Sequence, residues 1–359
     1  MSLHAGAPAP LFSAPSHVNP EFAFGSLGGR WILLAFLPPP GPRRDAAVAL
    51  VRANAKHFQV EQRIFFGVLP DRASFDACAG DGPPMRWFDD SEGHVRRLFG
   101  AEGPDGQVVP EWVVVDPSMR VIGCAPLDRG PQVIASLLRF GSPDDHAGVP
   151  LHAPVLIVPR VFEPDFCRQL IDLYESQGGL PSGTMRQKDG KTVGVLSDFK
   201  KRRDASVADP YLQGQIRARV SQRLMPEIEK AFQFRVTRIE RYIVACYDAE
   251  EGGYFQPHRD NTTTGTAHRQ FAVSINLNDG FDGGELRFPE FGSRTYRAPL
   301  GGAVVFSCSL LHEATHVTRG RRYACLPFLY DEAAAEIRRQ NMHTLEVPGA
   351  ETALEPVSL

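Results

Sequence analysis

The sequence predicts an α/β domain followed by an α+β domain, and three observations carry that prediction. Near the start, WILLAFL from Trp31, DAAVALVRANAKHF from Asp45 and RIFFGVL from Arg63 succeed one another as strand, helix and strand. An apolar run of strand length, a stretch whose apolar residues return every three or four positions, and a second apolar run together make a βαβ unit. PEWVVVDP and RVIGC then read as two strands joined by an Asp-Pro turn, and PQVIASLLRF reads as a closing amphipathic helix. That order is the order of a thioredoxin-like sheet. Beyond residue 154 the pattern changes to helices first and then six strand-like segments separated by Gly-rich turns: RIERYIVACY, QFAVSINLN, GGELRFPE, TYRAPL, GGAVVFSC and RRYACLPFLY. Six antiparallel strands after flanking helices indicate a double-stranded β-helix, a jelly roll.

The remaining elements follow in order. HVRRLFG near His94 reads as a short helix, and the turn formers of GSPDDHAGVPLHAP, residues 141–154, mark the junction. We therefore expect domains at 1–145 and 146–335, and a C-terminal tail at 336–359. PVLIVPRVF reads as a strand, and the helix from Pro164 stops at Gly178 and Gly179. The polar stretch from Pro181 to Asp209 carries Lys200, Lys201, Arg202 and Arg203. It reads either as a solvated surface loop or as a mobile flap facing a substrate. LQGQIRARVSQRLMPEIEKAF reads as one long helix, and Gly283-Gly284 as a turn that only glycine tolerates.

Composition excludes several classes. The 359 residues are 43% apolar and 23% charged, which rules out a wholly disordered or membrane-embedded chain. Lys and Arg number 39 against 42 Asp and Glu, so no global basic field points to nucleic acid or an anionic membrane. No run approaches a membrane-spanning length, and the first thirty residues lack the pattern of a secretory leader. The six cysteines are scattered singly, as buried thiols of a reducing cytoplasm would be. We expect a cytoplasmic protein, with neither nucleic acid nor membrane as partner.

Chemistry concentrates in the second half. His258-Arg259-Asp260 follows the strand end GGYFQP, and residues two apart on a strand share a face. His258 and Asp260 can thus offer a nitrogen and an oxygen to one metal ion. His312 follows the strand GGAVVFSC, and Arg322 opens the next strand ten residues on. Two histidines and one carboxylate on one face of an octahedral metal leave three positions open, the arrangement of non-heme Fe(II) oxygenases. An arginine in the same barrel can grip a carboxylate through two parallel hydrogen bonds, as a dicarboxylate cosubstrate requires.

Residues 150–332 resemble the prolyl 4-hydroxylase-like 2-oxoglutarate and Fe(II)-dependent dioxygenases. The resemblance lies in VACYDAEEGGYFQPHRDN, INLNDGFDGGELRFPE and HEATHVTRGRRYACLPFLY. It implies His258, Asp260 and His312 as metal ligands, Arg322 as the partner of the far carboxylate of 2-oxoglutarate, and Tyr247 at the border of the cosubstrate pocket. It also implies Fe(II), 2-oxoglutarate, O2 and ascorbate as cofactors and cosubstrates. The implied product is a hydroxylated C–H of a protein residue, prolyl among the options, or of a small molecule. Asp at 260 leaves no position for halide, which favours hydroxylation over halogenation. His316 and Asn276 depart from the family pattern, at positions where relatives carry a proline and a second tyrosine.

Residues 5–140 resemble the alkyl hydroperoxide reductase and thiol-specific antioxidant family, the peroxiredoxins, through GAPAPLFSAP, WILLAFL and VVVDP. That family's chemistry needs a cysteine at the helix start after the first strand, and here the segment reads PPPGPRRDAA. We expect a scaffold without peroxidase chemistry that serves docking, substrate delivery or a homodimer. The rival readings are a non-catalytic redoxin-fused binding module and a thiol peroxidase using Cys78 or Cys124. His312 to His316 also spells H-E-x-x-H, with Glu336 as a third ligand, but a zinc protease needs both histidines on one helix face. The strand pattern around the motif argues against a helix. His268, Arg269, Cys246 and Cys308 are expected to be structural.

Overall fold

A computed structural model of the protein describes residues 3–83, 85–346 and 357–358. The chain forms two compact units, Met1–Ala153 with Pro289–Ser293, and Pro154–Phe288 with Arg294–Leu359. The expected tail, 336–359, falls partly outside the described residues. Its first part continues a helix, Glu332–Asn341, that crosses the expected boundary because Asp331 caps it and Ala334, Ala335 and Arg338 anchor it by burial.

The first unit holds a five-stranded sheet in the order Trp87–Asp89, Arg63–Leu69, Trp31–Phe36, Glu111–Val115, Val121–Pro126. The first three strands run parallel and the last two antiparallel. Helices Pro42–Ala53, Arg72–Ala77, His94–Phe99 and Gly130–Leu137 connect or close them. This is a thioredoxin-like topology. The central strand Trp31–Phe36 is buried at every position, so apolar residues face both ways. Ile32, Leu34 and Phe36 enter one core layer, and Trp31, Leu33 and Ala35 enter the other.

In the second unit, one antiparallel sheet runs in the order Val357–Ser358, Arg238–Glu240, Phe328–Tyr330, Phe271–Asn276, Arg321–Cys325, Ile243–Asp248, Arg203–Ser206, Leu180–Pro181. Ala303–Ser307 joins it beside Phe271–Asn276. A smaller antiparallel sheet runs Lys200–Lys201, Tyr254–His258, His312–Ala314, Leu286–Arg287, Thr295–Tyr296. Strand alternation sorts the large sheet into two faces. Val244, Cys246, Val273, Ile275, Tyr323 and Cys325 pack with Phe166, Leu170, Ile216 and Ile228 of the helices. Their neighbours Tyr247, Ser274, Asn276, Arg322 and Asp204 therefore lie on the opposite face. One face serves the core, and the other is free for polar chemistry.

Two expectations are corrected. The stretch 181–209 is not a loop: it contains the hairpin Thr184–Lys188 and Lys191–Val195 and the strands Lys200–Lys201 and Arg203–Ser206. The expected helix 212–232 is interrupted by a π-type turn, Val220–Leu224, between Pro210–Arg219 and Met225–Phe232. Pro226 explains it, since proline lacks the N–H of the helical ladder and its ring crowds the carbonyl four residues back. Gly283 and Gly284 do adopt positive φ, at 71° and 67°, and a Cβ on Gly283 would lie 2.1 Å from the His316 carbonyl. No described helix is long and apolar enough to cross a membrane.

Candidate functional site

His258 ends one strand of the small sheet, and His312 begins its antiparallel neighbour directly opposite. Their ring centroids are 4.3 Å apart. Asp260 lies just beyond, its backbone N–H held by the Cys308 carbonyl at 3.0 Å. Its two carboxylate oxygens sit 3.5 Å from His258 Nε2 and 3.4 Å from His312 Nε2. Donor atoms of the three residues all fall within 4.8 Å of one another, the one such group of three among the described residues.

The backbone fixes which nitrogen each imidazole presents. His258 Nδ1 lies 2.7 Å from the Gln256 carbonyl, and His312 Nδ1 lies 3.0 Å from the Leu310 carbonyl. A carbonyl only accepts, so each Nδ1 carries a proton and each Nε2 is the nitrogen turned to Asp260. Burial holds His312 down to about 4, with the neighbouring His258 adding to the effect, so its ring is neutral near pH 7. Burial alone would raise the Asp260 carboxyl, but the His312 and His258 rings outweigh it and hold it well below the usual range. Phe255 stacks on the His258 ring, and Phe306 and Phe288 pack near His312. Two imidazole nitrogens and one carboxylate oxygen suit a first-row divalent ion, and apolar rings flank both histidines.

Arg322 stands on the large sheet directly opposite Tyr247, its guanidinium 5.3 Å from that ring's centroid. It is 3% exposed, and Asn276 Oδ1 accepts from its Nε at 3.2 Å while Ser274 Oγ accepts from its Nη2 at 2.6 Å. Neutral acceptors position the guanidinium and leave its charge uncompensated, so burial pulls its pKa below the ordinary arginine value. Asn276, which departs from the family pattern, thus orients Arg322.

The sequence reading missed the charged lining beside this arginine. Lys200 and Arg202 are buried while Lys201 between them is exposed, so the run is a strand with alternate charges turned inward. Arg202 forks onto Asp204 at 2.7 and 2.6 Å and reaches Tyr247 Oη at 3.4 Å. Alternation was invisible because both faces of K-K-R-R are charged. Farther along the same face, Glu240 accepts from His268 Nε2 at 2.5 Å and from Arg269 at 2.7 Å. Those two residues are therefore held in a buried network. Cys246 and Cys308 are buried core residues.

The H-E-x-x-H motif is not helical: it folds as the strand His312–Ala314 followed by Thr315 and His316, which lead into the next strand, Val317–Arg319. His316 is exposed against Tyr254, Glu313 pairs with Arg287, and Glu336 pairs with Arg339. In the first unit, the turn before Pro42 carries no cysteine, but the fold brings Cys78 Sγ to 3.7 Å from Arg44 Nη2. Burial nonetheless raises the Cys78 thiol against the pull of Arg44, and it raises Cys124 to about 11. Neither is a thiolate near pH 7.

Residues 242–330 match the sequence model of the 2OG-Fe(II) oxygenase superfamily, a span that contains His258, Asp260, His312 and Arg322. The chain carries a domain of that superfamily. It is similar to a PKHD-type hydroxylase of Synechococcus sp. (strain JA-2-3B'a(2-13)), 29% identical over 98 residues, covering 25% of this chain and 43% of that protein. A PKHD-type hydroxylase of Pseudomonas fluorescens (strain Pf0-1) is 25% identical over 206 residues, covering 55% of this chain and 86% of the relative. The chain thus spans less than half the length of the first curated relative it matches. Among solved structures it is similar to a Pseudomonas putida prolyl-4-hydroxylase, at 18% identity and a TM-score of 0.38, covering 53% of this chain and 96% of that one. It is also similar to Peroxidoxin BcpB from Mycobacterium tuberculosis, at 20% identity and a TM-score of 0.33, covering 38% of this chain and 97% of that one.

Proposed function

We propose that the protein is an Fe(II)- and 2-oxoglutarate-dependent dioxygenase that hydroxylates an unactivated C–H of a protein residue or a small molecule. The observation that carries this reading is the convergence of His258 Nε2, His312 Nε2 and an Asp260 oxygen, in the same unit as a buried Arg322 bonded only to neutral acceptors. His258, Asp260 and His312 would hold the metal, which supplies O2 activation when bound together with 2-oxoglutarate. The balanced reaction takes substrate C–H, O2 and 2-oxoglutarate to C–OH, succinate and CO2.

Arg322 anchors the far carboxylate of 2-oxoglutarate, with Ser274 and Asn276 fixing its plane so that Nη1 is turned to the cosubstrate. Tyr247 borders the same pocket, and the Arg202–Asp204 fork holds the tyrosine from its hydroxyl side. The phenylalanines around the histidines exclude water and orient the rings. The two facing antiparallel sheets support the double-stranded β-helix reading of this unit. We assign ascorbate, a cytoplasmic location and a homodimer through the N-terminal unit to the same reading, the unpaired cysteines supporting the location.

Anaerobic titration of Fe(II) into the protein, followed by 2-oxoglutarate and then O2, tests this reading. Succinate should form only when all three are present, and its formation should vanish in the Asp260→Ala protein. Succinate formed without added iron in metal-stripped protein would overturn it.

A further inference from the structure

Two of the three metal-type donors are placed by sheet pairing, and the third is not. His258 and His312 oppose each other across two antiparallel strands. Asp260 lies beyond the end of its strand, Tyr254–His258, in a turn that runs on into the short 3-10 turn Thr264–Thr266. Strand register therefore fixes the imidazoles, whereas the carboxylate stands wherever the loop after residue 258 is held.

That loop is gripped by the hairpin Thr184–Lys188 and Lys191–Val195. Gln187 and Thr192 are partners across the hairpin, so their side chains share one face. Gln187 Oε1 accepts from the Thr264 N–H at 2.9 Å, and Thr192 Oγ1 accepts from the Gly265 N–H at 2.9 Å. The Thr192 hydroxyl in turn donates to Gln187 Oε1 at 3.4 Å. These amides open the 3-10 turn, and the first N–H groups of a helical segment find no partner inside it. The Thr263 side chain does not serve them, since it is engaged with Thr266 in a capping box.

The fit is close. Gly265 is buried, and a Cβ there would lie 2.9 Å from Thr192 Oγ1 and 2.5 Å from Leu345 Cδ2. Leu345 is itself paired with Thr192, and Asn341 Nδ2 donates to the Thr264 carbonyl at 2.9 Å. Thr192 is fully buried, so parting it from Gly265 would leave an interior donor without its acceptor. The same hairpin also reaches the histidine side of the site. The Arg186 guanidinium lies 5.4 Å from the Phe199 centroid, Phe199 meets Phe255 edge-on at 6.0 Å, and Phe255 stacks on the His258 ring at 3.5 Å.

On the reading of His258, Asp260 and His312 as a metal site, we propose that Gln187 and Thr192 are positioning residues for the metal carboxylate. By holding the Thr264 and Gly265 amides they seat the loop that starts at Asp260, which presents the carboxylate toward the two histidines ahead of the ion. Linkage makes the effect reciprocal: a seated hairpin that favours metal binding is itself favoured by bound metal, by the same factor. A side chain that merely stabilised the fold would lower stability equally with and without metal.

The test uses the full chain, with Co(II) as the probe under anaerobic conditions. Wild-type binding, and its loss in Asp260→Ala, are measured first and test the metal reading by itself. Thr192→Val deletes the hydroxyl at nearly constant volume, and Gln187→Met deletes the amide at nearly constant length. Each should weaken Co(II) binding about fivefold, and the pair more than either alone. Thr192→Ser and Gln187→Glu keep an acceptor and should stay within about twofold of the wild type. Amide exchange of the hairpin, residues 184–195, should slow about fivefold when Co(II) is added to the wild type, and that slowing should shrink in Thr192→Val.

Circular dichroism identifies a variant that fails to fold. If Thr192→Val does so, Gln187→Met, at a half-buried position, carries the test with Gln187→Glu as its control. Wild-type protein that binds no Co(II), or binds it no better than Asp260→Ala, overturns the metal reading and the inference with it. Co(II) binding that needs Asp260 yet keeps wild-type affinity in the hairpin variants overturns the inference alone. So does hairpin exchange that is the same with and without metal, or equal weakening by Thr192→Ser and Thr192→Val.

Discussion

The two units both bury polar side chains, but they engage them differently. In the first unit, Asp90 accepts from the backbone N–H groups of Val95 and Arg96, Asp71 caps the helix at Ser74, and Arg44 donates to Ser74. Each buried group serves a helix end or a neighbouring loop, and the thiols are held protonated. In the second unit, the buried Arg322 and Lys200 are bonded only to neutral acceptors, and Lys200 lies against the Phe255 ring that stacks on the metal-type donor His258. Buried polarity consumed by the backbone marks scaffold, whereas buried charge without a counter-charge marks a site.

The contrast breaks first at the metal ligands. Replacing Asp260 or His312 by Ala should lower Fe(II)-dependent succinate formation by more than about a hundredfold, while far-ultraviolet circular dichroism stays unchanged. Full activity in either variant would dissolve the distinction between the units. The Glu240 network supplies the next largest effect. Glu240→Ala strands two buried donors, His268 and Arg269, and should cost roughly 3–5 kcal/mol in urea unfolding. A cost below about 1 kcal/mol would show that the network is not desolvated.

Arg322→Ala should raise the apparent KM for 2-oxoglutarate by about thirtyfold or more, corresponding to roughly 2 kcal/mol or more, with iron affinity nearly unchanged. An unchanged KM would move the anchor elsewhere. A smaller effect comes with acid. Burial would raise the Asp204 carboxyl, but Arg202 and Lys200 overcome it and hold the group at about 2, below its ordinary value near 4. The fork therefore contributes its full stability above about pH 4 and loses it as pH falls through about 2. The stability gap between wild type and Asp204→Asn should narrow across that window. A gap that widens would reverse the sign. Smallest of all, Glu313→Gln and His316→Ala should leave turnover within about twofold, and Cys78→Ser should leave peroxide consumption at the buffer rate.

The sequence exposed those parts of the fold where period and chemistry coincide. Trp31–Phe36 and Arg63–Leu69 are uniform apolar runs, and His258 and His312 sit at facing strand ends, whereas Asp260 lies in the turn just beyond the strand and not on its face. The segment 181–209 was illegible because its strands are short and its alternation runs between charged residues, as at Lys200 and Lys201. Pro226 was readable in the sequence as a helix breaker, yet the surrounding periodicity masked it. The roles of Ser274 and Asn276 could have been read from two polar residues, two apart, in an otherwise apolar strand, but only the register with Arg322 shows what they hold. Likewise, no spacing announces that Arg241 sits at a left-handed bend.

The account rests on the donors of His258, Asp260 and His312 holding one metal ion that serves 2-oxoglutarate turnover. The most direct measurement is the stoichiometry of bound Fe(II) and of succinate formed per 2-oxoglutarate consumed, compared between wild type and Asp260→Ala under O2. The account predicts one iron per chain and one succinate per 2-oxoglutarate in the wild type, with both lost in the variant. Equal iron binding and equal succinate formation in the two proteins would contradict it.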